Sequence, residues 1–151
     1  MPLRCVSLSI VLAALSMTLA GGCPGADILL TSLNTVQVEL INDTGFPVDP
    51  YIRFDDDPGF WASLLPAERL NVSRIEPGEG EVLQFDCDEL GLIFSDGAVQ
   101  LRWLFDDYVA DRTKILERDD DYDCGDVIRF RFVGDGPDFG VIVSVNGRIV
   151  D

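Results

Sequence analysis

The chain has 151 residues, with 27 acidic against 11 basic side chains and no histidine, for a formal charge of −16 at pH 7. That balance argues against nucleic acid and anionic lipid as partners, since both need a positive surface. Without an imidazole, serine–histidine and cysteine–histidine catalysis are excluded and the commonest zinc ligand is missing.

The N-terminus carries one positive charge, Arg4, then an apolar run from Val6 to Ala20 and the small residues Gly21 and Gly22. This is the three-part layout of a secretory signal. A run of about 15 apolar residues is shorter than the roughly 20 that span a bilayer as a helix, so it predicts a removable signal in place of a membrane span.

The run ends in Leu19-Ala20-Gly21-Gly22-Cys23. That segment resembles the lipobox of bacterial lipoproteins, in which small residues precede a cysteine that is acylated and becomes the first residue of the mature chain. The resemblance covers the export segment alone. It implies a signal peptide over residues 1–22 and a lipid-bearing Cys23 that holds the protein to a membrane of the cell envelope on its periplasmic or surface face. Residues 24–34 show no clean periodicity and, with Cys23, read as a tether over 23–34 leading to a domain at 35–151. One departure stands out. The family prefers leucine three places before the cysteine, where this chain has Ala20, with Leu19 one place early. Ala20-x-Gly22 also suits an ordinary signal peptidase cutting the same bond to leave a soluble product.

Of the four cysteines, Cys5 leaves with the signal and Cys23 takes the lipid, so Cys87 and Cys124 remain as an even pair. An exported compartment permits a disulfide between them, and an ordinary cut would leave an odd thiol. The alternative is two separate buried thiols. Closing a loop of about 38 residues would stabilise the fold by roughly 4 kcal/mol on the chain-entropy account. Cleavage removes Arg4 and no acid, so the mature chain keeps 10 basic and 27 acidic residues and a formal charge of −17. Its Val, Ile, Leu and Phe content excludes a disordered chain.

Beyond residue 34 the dominant period is two, the pattern of half-buried strands. Val36, Val38 and Leu40 alternate with polar residues over Thr35–Ile41. Shorter alternations follow at Tyr51–Asp55, Leu70–Ile75 and Glu81–Asp86. Val99, Leu101, Trp103 and Phe105 then share one face, as do Ile128, Phe130 and Phe132. Gly140–Val145 pairs with Arg148–Val150 across Asn146-Gly147, a dipeptide suited to a type I′ turn. Turn signals lie between these runs, among them Ser95-Asp96-Gly97 and Asp135-Gly136-Pro137. Helix is expected only at Phe60–Leu65 and, weakly, at Asp106–Glu117. Seven or eight short strands argue for an all-β antiparallel sandwich or a squat barrel; the sandwich resembles immunoglobulin-like or transthyretin-like architectures without carrying residue roles from them.

Two constellations invite chemistry. Asp119, Asp121 and Asp123, with Asp126 nearby, offer oxygen ligands to calcium, alone or with Asp55, Asp56 or Asp57 from another loop. The opening matches an EF-hand-like loop. The match then fails, because Cys124 stands where glycine is required and Phe130 where a bidentate glutamate belongs. The bland alternative is a solvated, charge-repelled connection. Phe60-Trp61 beside Asp55-Asp56-Asp57 could stack on a sugar ring, or simply cap the core. Paired carboxylates able to hydrolyse a glycoside cannot be singled out among so many acids. The sequence therefore leads to a non-enzymatic envelope module binding an envelope protein or glycan, with no obligatory cofactor. The alternative is a calcium-stabilised domain that binds a ligand such as carbohydrate.

Overall fold

The computed structural model describes residues 34–56, 67–102 and 106–150, all within the unit Asn34–Asp151. Alternation of apolar and polar side chains produces β1 (Thr35–Asn42), whose Val36, Val38 and Leu40 are fully buried. The same period makes β2 (Val48–Asp55), β4 (Gly80–Asp86) and β8 (Val127–Val133), while in β9 (Gly140–Val145) three consecutive residues, Val143 to Val145, are buried. The longest strand is β5 (Leu92–Gln100). Four more are short: β3 (Glu68–Arg69), β6 (Tyr108–Ala110), β7 (Leu116–Glu117) and β10 (Arg148–Ile149).

These strands form two sheets, one ordered β10-β9-β8-β1-β4 and the other β3-β2-β5-β6, with β7 also on β5. Among the described residues every strand pair is antiparallel except β1 with β8, which run parallel with Val38 opposite Ile128. Val36, Val38, Leu40, Ile128, Phe130, Phe132 and Val143 from the first sheet pack against Val48, Ile52, Ile93, Ala98 and Leu116 from the second. Each fully buried Phe or Leu contributes about 1.5–3 kcal/mol. This is the expected all-β sandwich. Of the four short strands, β6 and β7 raise the number beyond seven or eight, being too short to leave a period in the sequence.

The hairpin between β9 and β10 forms as expected. Asn146 (φ 49°) and Gly147 (φ 80°) occupy its turn, and Arg148 stands opposite Val145. The disulfide between Cys87 and Cys124 is also present, with the two Cα atoms 5.6 Å apart. Cys87 follows β4 directly, and the amide of Gly125, next to Cys124, donates to the carbonyl of Thr35 at 2.9 Å. The bridge thus ties together the two strands that flank β1, at the end where β1 begins.

Other segments depart from expectation. Asp106–Glu117 carries β6 and β7 in place of helix, because its backbone is spent on β5. Ala110 stands opposite Ala98 and Leu116 opposite Ile93, and between them the Thr113 amide donates to the Ser95 carbonyl at 3.0 Å. Leu70–Ile75 gives only a single bridge, Ile75 to Val48; the ladder forms upstream, where Glu68 and Arg69 pair with Phe54 and Arg53.

The strand expected over 99–105 begins at Leu92, ends at Gln100 and has the opposite phase, with Gln100 fully buried. Ser95-Asp96-Gly97 is a bulge within it, not a chain reversal. Pro50 faces Ala98 while Ile52 faces Ser95, so β5 holds one extra residue. Gly97 adopts φ 112°, and a Cβ there would lie 2.9 Å from the Ala110 carbonyl oxygen, which requires glycine. Pro50, with no N–H to donate, sits where the bulge interrupts the ladder. Trp103 and Phe105, expected in the core, lie outside the described residues, as does the helix expected at Phe60–Leu65.

Candidate functional site

The aspartate-rich connection from β7 to β8 is built around a buried tyrosine. Tyr122 is 3 % exposed and its hydroxyl donates to the Leu90 carbonyl at 2.8 Å. Burial raises its pKa above the ordinary range; the charges of Asp119 and Asp121 add to the rise, while Arg118 opposes it. Asp119 takes a positive φ of 71°, and its amide donates to the Tyr122 carbonyl at 2.9 Å, closing a tight turn over Asp119–Tyr122. Aspartate tolerates that left-handed conformation better than most side chains.

The loop lines a shallow depression of about 390 Å³ with Asp119, Asp120, Asp121, Asp123 and Asp126, closed on the hairpin side by Asn146 and Arg148. All four aspartates expected to bind a cation therefore share one surface. Their oxygens are differently occupied. Asp126 accepts from the Asp123 amide at 2.8 Å with one oxygen and from the Asn146 side chain at 2.6 Å with the other. Asp121 pairs with Lys114 and also accepts from the Glu117 amide at 3.3 Å. Among the described residues no three His, Cys, Asp or Glu side chains converge as a metal site requires. Asp55, at the end of β2, does not line the depression, nor does Asp56. Asp57 and the aromatic pair Phe60 and Trp61 lie outside the described residues, as do Cys23 and the signal segment.

Two further arrangements were not visible in the sequence. The Gln100 side chain donates to the Gly134 carbonyl (3.2 Å) and to Asp135 (3.0 Å) and accepts from the Gly136 amide (2.9 Å), joining β5 of one sheet to the β8–β9 connection of the other. The Arg102 guanidinium stacks over Phe46 at 4.4 Å and lies 5.5 Å from the Tyr108 ring, beside a depression of about 270 Å³ that includes Arg74, Glu76 and Asp107. Neither signal exists at the level of spacing, because both depend on residues 30 or more positions apart, or on a fold that brings 46, 102 and 108 together.

No protein-family profile matches the chain, and no curated protein matches it. Among solved structures it is similar to the NMR structure of a protein from Eubacterium rectale, at 14 % identity and a TM-score of 0.43, over 82 % of this chain and 94 % of that one. It is also similar to a structure described as a trapped toxin, at 11 % identity and a TM-score of 0.42, over 74 % of this chain but 23 % of that one.

Proposed function

We propose that the protein is an exported, lipid-anchored β-sandwich of the bacterial cell envelope, acting as a non-enzymatic binding or assembly module. The observation that carries this reading is the cysteine arrangement. Cys87 and Cys124 form a disulfide, which fits an oxidising compartment. Cys23 then stands alone behind an apolar run and small residues, where a lipobox puts its acylated cysteine. Among the described residues no helix is long and apolar enough to cross a membrane, and the reading assigns anchoring to lipid on Cys23.

The test is expression in a bacterial host with radiolabelled fatty acid, comparing the natural chain with Cys23→Ser. The natural chain should take up label and sediment with membranes, and Cys23→Ser should do neither. An unlabelled natural chain recovered from the cytoplasm with Cys87 and Cys124 reduced would end the proposal. A second reading, a calcium-stabilised domain binding a ligand such as carbohydrate, draws on the acid-lined depression at Asp119–Asp126. A calcium-dependent rise in unfolding temperature would carry it.

A further inference from the structure

We infer that the outer edge of β4 is a strand-addition site for an extended, basic segment of a partner protein. This deepens the binding-module reading and rests on its non-catalytic half, not on the anchor. β4 ends its sheet: β1 pairs with one side, and among the described residues no strand pairs with the other. The remaining sheet edges are formed by β10, β3, β6 and β7, each two or three residues long, whereas β4 has seven.

The backbone of that edge is poised to pair. The Cys87 amide donates to the Asn34 carbonyl at 2.9 Å. Hydrogen-bonding direction alternates along an antiparallel strand, so Phe85, Leu83 and Glu81 also direct N–H and C=O toward β1. Asp86, Gln84 and Val82 direct theirs outward. Exposed edges are usually blunted by charged side chains, proline or a bulge; the charges on β4, Glu81 and Asp86, are both acidic and so repel a like edge but not a basic strand. The stretch Gly80–Asp86 has no proline or lysine, and its register with β1 is unbroken.

The side chains define the occupant. Val82 is 61 % exposed, and a shallow groove of about 340 Å³ runs beside it over Leu40 and Ile41, rimmed by Glu39, Glu79 and Glu81. From 79 to 89 the chain carries Glu79, Glu81, Asp86, Asp88 and Glu89 and no lysine or arginine. None of these five forms an ion pair among the described residues, whereas Glu39, Asp43, Asp49, Asp96 and Asp121 are each matched to Arg or Lys. A second copy of the chain would bring the same acids to the edge, and like charges across a ladder are destabilising. The complementary occupant is a strand with lysine or arginine at alternate positions and apolar side chains between them to cover Val82.

The probe is a capped heptapeptide alternating lysine and valine, added at low salt to the purified protein with its disulfide intact and followed by amide NMR shifts. The amides of Val82, Gln84 and Asp86 should shift. The glutamate counterpart of the peptide and a lysine peptide N-methylated at alternate amides should bind at least tenfold more weakly. Gln84→Pro removes one outward N–H and leaves the β1 ladder intact; Val82→Lys adds a like charge at an exposed position. Each should weaken binding at least tenfold, and Val82→Lys decides the matter if Gln84→Pro does not fold. An absent response, shifts confined to Asp119–Asp126, undiminished binding of the N-methylated peptide, or an edge-to-edge dimer of the protein alone would overturn the inference. None of these outcomes touches the membrane-fraction result for Cys23, so the two readings fail separately.

Discussion

Gln100 shows how one polar side chain can hold two sheets in place. It is fully buried, and its amide satisfies a carbonyl, a carboxylate and an N–H of the 134–136 connection. Gln100→Leu keeps a similar volume but strands those partners, and an unsatisfied buried group costs about 1–3 kcal/mol. Urea unfolding should show a loss of about 2–4 kcal/mol. Tyr122 makes a pH-dependent contribution. Its folded pKa is raised above the ordinary value near 10, so the folded state holds the proton that the unfolded state releases. Its contribution is fully present below about pH 10 and is lost as pH climbs through the raised folded value. Tyr122→Phe should cost about 1 kcal/mol at neutral pH through the bond lost to Leu90, and should fall less steeply in stability between neutral pH and pH 11.

Among the elements, the disulfide has the largest separable effect. It joins residues 37 positions apart and ties β4 to the approach to β8. Replacing Cys87 and Cys124 together by serine should lower unfolding free energy by about 4 kcal/mol on the chain-entropy account, measured under identical oxidising buffer. The strands that could be read in advance, β1, β8 and the β9–β10 hairpin, have an apolar face set against a more polar one, so their period reaches the sequence. β5 could not be read that way. Ile93 joins the main core while Leu92 and Phe94 join a second apolar cluster with Ala67 on the other face, and burial on both faces erases alternation. The aspartates of the candidate site were legible as a cluster. That Asp126 is occupied by Asp123 and Asn146 was not, since Asn146 lies in a different hairpin.

For the whole molecule, charge dominates the response to solvent. A formal charge of −16 repels itself in the compact state, and salt screens that repulsion over about 10 Å at 0.1 M. The unfolding midpoint should therefore rise by several degrees between about 10 and 150 mM sodium chloride. At matched ionic strength, calcium and chelator should give superimposable curves, because Asp121 and Asp126 are already engaged within the protein. A calcium-specific increment would instead support the aspartate loop as a cation site.

The parallel pairing of β1 with β8 bears on how the fold is reached in time. Val38 finds Ile128 only after the whole intervening chain has been made, and such distant contacts form slowly. β1, between β8 and β4, stays paired on one side only until β8 at residues 127–133 has been made. A chain built this way completes its first sheet only once its final strands have been made, while the strands of the second, at residues 48–117, are all available earlier.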